Sequence, residues 1–150
     1  MGDTAREIIR KRLSMGLSPR PEPAAFAREM FDKDFDNFID NAENNSLLFF
    51  DRSFVDSANL VFHTAPDDYA TIEKSLLDHR FNKKVFVTPP WKEIYRTDSE
   101  RDHSFDHAVA VFDELSNWYA KHDYTVILIP KDAVERRAEF VLKEIVPPID

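Results

Sequence analysis

The segment YTVILI at residues 124–129 decides the fold class, because it is a short, unbroken apolar run that Pro130 closes. A second such run, KKVFVT at residues 83–88, is followed by Pro89, and a third, SLLFFD at residues 46–51, ends in an acid. Continuous runs of this length, without alternation of polar and apolar residues, are typical of strands that are buried on both faces, as in parallel sheets. We therefore predict three parallel strands.

Helical periodicity dominates the sequence around these runs. It predicts a helix from Thr4 to about Gly16, with Thr4 and Glu7 as a capping box, and a longer helix after the prolines near residue 20. It also predicts one or two helices over residues 53–80, another over 98–122 and a last one from Ala133. The apolar residues at helical spacing are Ala5, Ile8, Ile9 and Leu13; Phe31, Phe35, Phe38, Ile39 and Ala42; Tyr69, Ile72, Leu76 and Leu77; Phe105, Val109, Phe112, Leu115 and Tyr119; and Val134, Ala138, Val141, Leu142 and Ile145.

This order of elements predicts an α/β fold in three layers, with a small parallel sheet of about three strands flanked by helices. The length of 150 residues suits a single domain over residues 1–150.

Composition narrows the classes of function. The net charge is −8, and the longest basic block is Arg10–Arg12, which argues against a nucleic-acid partner. No cysteine is present, so disulfides and thiolate metal sites are excluded. No apolar run reaches the roughly 18 residues of a membrane span. We expect a cytoplasmic protein without a membrane partner.

Glycine is scarce, and this bears directly on nucleotide binding. The sequence contains only Gly2 and Gly16, and neither is followed by a lysine and a hydroxyl residue. A phosphate-binding loop of the type GxxxxGK[ST] needs two glycines and a lysine at fixed spacing, because its backbone N–H groups converge on the anion. The 150 residues contain no such loop.

Two segments carry charged side chains at places where α/β sheets bind ligands. Asp51 and Arg52 follow the first predicted strand, where a carboxylate can orient magnesium or accept a proton and an arginine can bind phosphate. The alternative is an acid that caps the next helix beside a solvated arginine. Lys92, Arg96 and Arg101 follow the second strand and suit a lid over phosphates, or simply the start of a helix.

Two histidines are spaced like metal ligands on one helical face. His103 and His107 are four residues apart, but no third ligand accompanies them. We therefore predict no metal site.

Several segments in order resemble one known family. They are DTAR at residues 3–6, II at 8–9, FA at 26–27 with Met30, FFDR at 49–52, WKEIYRTD at 91–98 with Glu100 and Arg101, Tyr124, and RAEFVL at 137–142. Together they resemble the small AAA-domain family of predicted ATPases related to ribosylnicotinamide kinase, which has a P-loop nucleotide-kinase-like fold. The resemblance spans essentially the whole chain.

The resemblance implies a parallel sheet, an ATP or GTP site, magnesium and phosphoryl transfer. By position, Asp51 would be the catalytic or metal-organising carboxylate and Arg52 a phosphate contact, with Arg96 and Arg101 as lid arginines. Asp3 and Arg6 would border the acceptor pocket. Compared with the family pattern, the chain starts after the first strand, the P-loop, the first helix and the second strand.

The expected function is that of a degenerate P-loop NTPase-like protein without a Walker A loop, a non-catalytic interaction or scaffold module that needs no cofactor. We expect a homodimer, or a complex with another chain, through the apolar edge at residues 47–50. One alternative is the remnant of an ATP- or GTP-dependent nucleotide-kinase-like phosphotransferase whose P-loop is supplied elsewhere. Another is a binder of anionic small molecules that uses Arg52, Arg96 and Arg101.

Overall fold

The computed structural model describes residues 4–96 and 104–145, and it confirms the α/β class. The described residues form six helices and one parallel two-stranded sheet. They divide into two compact units, Met1–Arg80 and Phe81–Asp150, which we describe separately. The prediction of a single domain stays a prediction. The elements are α1 Thr4–Ser14, α2 Pro23–Asp40, α3 Phe54–Thr64, α4 Pro66–Asp78, β1 Lys84–Val87, α5 Phe105–Lys121, β2 Thr125–Leu128 and α6 Val134–Ile145.

The C-terminal end of α1 is closed by Gly16, as the sequence predicted. Gly16 has a φ of 69°, in the left-handed region that glycine adopts without steric cost. The Gly16 N–H donates to the Leu13 carbonyl at 3.0 Å, and the Leu17 N–H donates to the Arg12 carbonyl at 3.0 Å. These two bonds constitute a Schellman motif, which satisfies carbonyls that the end of the helix leaves open.

The N-terminal end of α1 departs from the prediction. The Thr4 hydroxyl donates to the Asp34 carboxylate of α2, and the Glu7 carboxylate pairs with Lys33 of the same helix. These two side chains connect α1 to α2 instead of forming the predicted capping box.

An aromatic cluster forms the centre of the first unit. Phe54, at the start of α3, is fully buried, and its ring meets those of Phe31, Phe35 and Phe38 on α2 at centroid distances of 6.3, 5.3 and 5.0 Å. These tilted or edge-on contacts are the favourable geometry for aromatic pairs. The predicted apolar face of α2 is thus confirmed for its three phenylalanines, whereas Ile39 is 43% exposed.

A buried carboxylate lies beside this cluster. Asp34 is only 6% exposed and accepts hydrogen bonds from Thr4 of α1 and Ser57 of α3. A buried carboxylate needs such donors, because an unsatisfied one is costly. Asp34 therefore joins three helices through polar contacts.

The predicted helical region at residues 53–80 consists of two helices. A proline, Pro66, begins the second of them, α4, directly after α3 ends. Ile72 and Leu76 are buried as predicted. The inward position predicted for Leu77 is wrong, since this side chain is 62% exposed.

The second unit contains the sheet. The strands β1 and β2 are parallel, with Lys84 opposite Thr125 and Val87 opposite Leu128. The helix α5 packs against β2. Its residue Tyr119 is buried and meets the ring of Tyr124 edge-on at 5.4 Å.

The third predicted strand is not part of this sheet. Residues 47–50 form no strand, and their side chains alternate between exposed and half-buried. Leu47 and Phe49 are 59% and 52% exposed, whereas Leu48 and Phe50 are half-buried. The physical reason is that the core of the first unit is built from contacts between helices, which offer this segment no strand to pair with.

The last helix, α6, is also less buried than predicted. None of its described side chains is buried, and Val134 and Leu142 are 65% and 51% exposed. An ion pair links it to the sheet, since Lys84 Nζ lies 3.3 Å from the Glu144 carboxylate. The prediction that α6 buries its apolar side is therefore wrong for the described part of the chain.

Candidate functional site

The turn formed by Asp51 and Arg52 leads directly into α3. Arg52 has a φ of 72°, a left-handed conformation that costs about 1 kcal/mol or more in a residue with a Cβ atom. Asp51 is exposed to solvent. The structure thus brings these two predicted residues together at the N-terminus of a helix, where the helix dipole favours negative charge.

A capping box that the sequence analysis missed holds this turn in place. The Ser53 hydroxyl accepts from the Val55 N–H at 3.2 Å, and the Asp56 carboxylate accepts from the Ser53 N–H at 3.0 Å. The signal was readable as a serine followed three residues later by an acid. The residue that caps α3 with its carboxylate is therefore Asp56 and not Asp51, which corrects the alternative interpretation of this segment.

The Arg52 guanidinium lies on the outer surface of this turn. Its Nη1 is 3.4 Å from the Asp56 carboxylate, and the Arg52 side chain is 55% exposed. An exposed pair of this kind contributes little to stability.

The predicted lid arginine, Arg96, lies in the second unit. Its Nη1 donates to the carbonyls of Tyr95 and Glu93 at 2.8 and 3.4 Å, so its side chain folds over its own backbone. The neighbouring Tyr95 meets the ring of Phe105 at 5.4 Å and donates its hydroxyl to the Ser104 carbonyl at 3.3 Å. The structure thus places Arg96 on a segment that is anchored to the start of α5.

The remaining predicted site residues are dispersed or lie outside the described ranges. Arg6 lies half-buried on α1. Asp3, Arg101 and His103 fall outside the described residues. His107 is exposed, and its N–H donates to the Ser104 hydroxyl that caps α5. Within residues 4–96 and 104–145, no three metal-binding side chains come together.

Two further properties describe the molecule beyond this turn. The described ranges contain no helix that is both long and apolar enough to cross a membrane.

Burial, and to a smaller extent the nearby Glu73 carboxylate, raises the pKa of Tyr69 on α4 above its ordinary value of 10.0. This tyrosine belongs to the packing between α3 and α4, where its ring meets that of Phe62 at 5.1 Å.

Comparison with known proteins gives one result, at the level of a family. No curated protein and no solved structure matches the chain. Residues 1–137 match the family described as AAA domain. This match spans most of the 150 residues, and it agrees with the α/β class and with the resemblance in the sequence. The chain therefore belongs to the AAA domain family.

Proposed function

We propose that this AAA domain acts as a non-catalytic interaction module that forms a homodimer through the sheet of its second unit. The observation that carries this proposal is that, in the described part of the chain, both edges of the two-stranded sheet are open and that its apolar side chains are only partly buried. Within the described residues, β1 and β2 each have a neighbouring strand on one side only. Parallel sheets are normally covered on both faces.

The side chains of the sheet are apolar but only partly shielded. Val85 and Phe86 of β1 and Val126 and Ile127 of β2 are half-buried, and Leu128 is 52% exposed. An apolar strand edge with open backbone groups is a template for another strand. Association through this sheet would pair those groups and remove the apolar side chains from water.

The helix α6 adds to this surface within the same unit. Val134 and Leu142 are mostly exposed, and Val141 and Ile145 are half-buried. Transfer of such side chains from water to an interface stabilises a complex by about 25 cal/mol for each Å² of apolar area. The second unit therefore offers both a sheet edge and an apolar helix to a partner.

The segment at residues 47–50 suits the partner strand. Its side chains alternate in burial as those of a strand do, and Leu47 and Phe49 are exposed. The run SLLFF contains no proline, glycine or charge, which is the composition of segments that add to sheets. In the proposed dimer, this segment of one copy pairs with the open edge of the sheet in the other copy.

Light scattering over a hundredfold dilution tests the dimer. We expect the parent protein to be dimeric at the higher concentrations, and Leu128→Glu and Phe49→Glu to dissociate it. Leu77→Glu is the matched control, because Leu77 is also exposed, at 62%, but lies on α4. A parent protein that is monomeric at every concentration would refute the proposal.

The non-catalytic part of the proposal rests on the sequence. The 150 residues contain no glycine-rich loop with its lysine, and backbone donors of that loop supply much of the phosphate recognition in P-loop proteins. We expect Mg-ATP and Mg-GTP to bind no more tightly than about 1 mM, or about −4 kcal/mol. Calorimetry that gives a dissociation constant of a few micromolar would contradict this.

A second candidate function is the binding of small anions at the Asp51–Arg52 turn. It is favoured by the left-handed backbone of Arg52, because such conformations are concentrated at functional sites. Pyrophosphate should then raise the melting temperature of the parent protein, and Arg52→Ala should abolish that rise. Lys74→Ala is the control, since Lys74 is an exposed cation on α4. An unchanged response in Arg52→Ala would exclude this site.

A further inference from the structure

We propose that the C-terminal end of α1 with the turn that follows it, residues 10–20, docks an acidic amphipathic segment of a partner protein. We call this surface the cationic helix end. It lies in the first unit and is independent of the sheet that the proposed homodimer uses. Its sequence is RKRLSMGLSPR.

Three large apolar side chains project from this surface. Leu13, Met15 and Leu17 are 56%, 63% and 46% exposed, and they fall within five consecutive residues. Isolated exposed apolar residues are ordinary on protein surfaces, but a contiguous group marks a place where another molecule binds. Methionine and leucine adapt readily to apolar partner surfaces.

The backbone that carries these side chains is held in place. Besides the Schellman bonds of Gly16, the Arg12 guanidinium donates to the Ser18 carbonyl at 2.7 Å. The Ser14 hydroxyl donates to the Lys11 carbonyl at 2.7 Å, and the Ser18 hydroxyl to the Arg20 carbonyl at 2.9 Å. A surface that is ordered before binding loses less conformational entropy when a partner docks.

Charge indicates what the partner is. The cationic helix end contains Arg10, Lys11, Arg12 and Arg20 and no acidic residue, whereas the other 139 residues contain 16 cationic and 28 acidic side chains, a net charge of −12. Cations in the last turn of a helix also stabilise its dipole. That effect explains the position of Lys11 and Arg12, but it does not explain the apolar side chains beside them.

An acidic protein segment fits this combination better than an anionic membrane does. A membrane surface is extended, so it would attract the four cations and at the same time repel the strongly acidic remainder of the chain. A single acidic helix is narrow enough to meet the cationic helix end alone, because charges farther away than about 10 Å are screened at moderate salt. Its own apolar side chains would cover Leu13, Met15 and Leu17.

Fluorescence anisotropy with a labelled synthetic peptide tests this inference. The probe is a helical peptide of about 18 residues, long enough to form a marginal helix, with Leu on one face and Glu on the other. Its counterpart has Lys in place of Glu. We expect the full chain to bind the Glu peptide and not the Lys peptide. Both Lys11→Glu/Arg12→Glu and Leu13→Ser/Met15→Ser/Leu17→Ser should weaken binding at least tenfold.

The matched control is Lys74→Glu/Leu77→Ser, which changes an exposed cation and an exposed leucine on α4. This variant should bind the Glu peptide like the parent protein. It and Leu13→Ser/Met15→Ser/Leu17→Ser should keep the parent melting temperature, because the side chains that they alter face solvent. Lys11→Glu/Arg12→Glu also removes the Arg12 bond to the Ser18 carbonyl, so circular dichroism should confirm that this variant keeps the helix content of the parent protein. Equal binding of the Lys peptide, or no loss in either helix-end variant, would overturn the inference. Tighter binding to vesicles of phosphatidylglycerol and phosphatidylcholine than to the Glu peptide would also overturn it.

Discussion

Replacing Phe54 with alanine should strongly destabilise the first unit. Phe54 is fully buried and lies within 5.0 to 6.3 Å of three phenylalanine rings on α2, measured between centroids. Its removal leaves a cavity between α2 and α3, the helices with the most extensive mutual contact in this unit. Large-to-small changes of this type cost about 3 to 5 kcal/mol.

The size of this loss can be compared with the stability of the unit. Stabilities of about 0.05 to 0.15 kcal/mol per residue give roughly 4 to 12 kcal/mol for a unit of the size of Met1–Arg80. The change Phe54→Ala therefore removes about a quarter or more of the free energy of unfolding. With a urea slope of about 1 to 3 kcal/mol per molar, the midpoint should fall by at least 1 M.

Urea unfolding followed by circular dichroism at the helical band measures this effect. Phe54→Leu retains much of the volume and should lose considerably less stability. Leu77→Ala is the control, because Leu77 on α4 is 62% exposed, and it should change the free energy of unfolding by less than about 0.5 kcal/mol. If Phe54→Ala were no more destabilising than Leu77→Ala, the packing described for α2 and α3 would be incorrect.

Three further outcomes follow from local features. Gly16→Ala should cost about 1 kcal/mol in urea unfolding, because φ is 69° and an added Cβ meets nothing within 4 Å, so that only backbone strain acts; an unchanged midpoint contradicts this. Ser53→Ala should cost about 1 kcal/mol through loss of the cap on α3, and a cost near zero would show that the cap is dispensable. Because the pKa of Tyr69 is raised above 10.0, the folded protein keeps a proton that the unfolded chain has lost, so the free energy of unfolding should decrease above about pH 10. Tyr69→Phe should lessen that decrease, and an identical pH dependence in this variant would refute the assignment.

Much of the fold was predictable because local rules decide it. The runs at residues 83–88 and 124–129 contain β1 and β2, and periodicity located the helices near their observed positions. Gly16 could be assigned to a helix end because only glycine adopts its backbone angle at little cost. The turn at Asp51 and Arg52 was also correctly placed directly before a helix.

Other features depend on tertiary contacts that a single sequence does not specify. The apolar run at residues 46–51 suits a strand, but pairing requires a partner, and none lies beside it among the described residues. The burial of Asp34 arises because Thr4 and Ser57, on two other helices, supply its donors. The conformation of Arg96, folded over its own carbonyls, likewise has no signal in the order of residues.

The buried Asp34 determines which arrangement of helices the chain can adopt. Its donors lie 30 and 23 residues away in sequence, on α1 and α3. Helices that touch only through aliphatic side chains can shift by one turn and still bury them. Such a shift would separate the Asp34 carboxylate from both hydroxyls and leave it without donors in apolar surroundings. Competing packings therefore become costly while the native one gains little, since buried polar groups add less to stability than well-packed apolar ones. Asp34 therefore makes the packing of α1, α2 and α3 unique. It selects one register of these helices from several that an entirely apolar interface would tolerate.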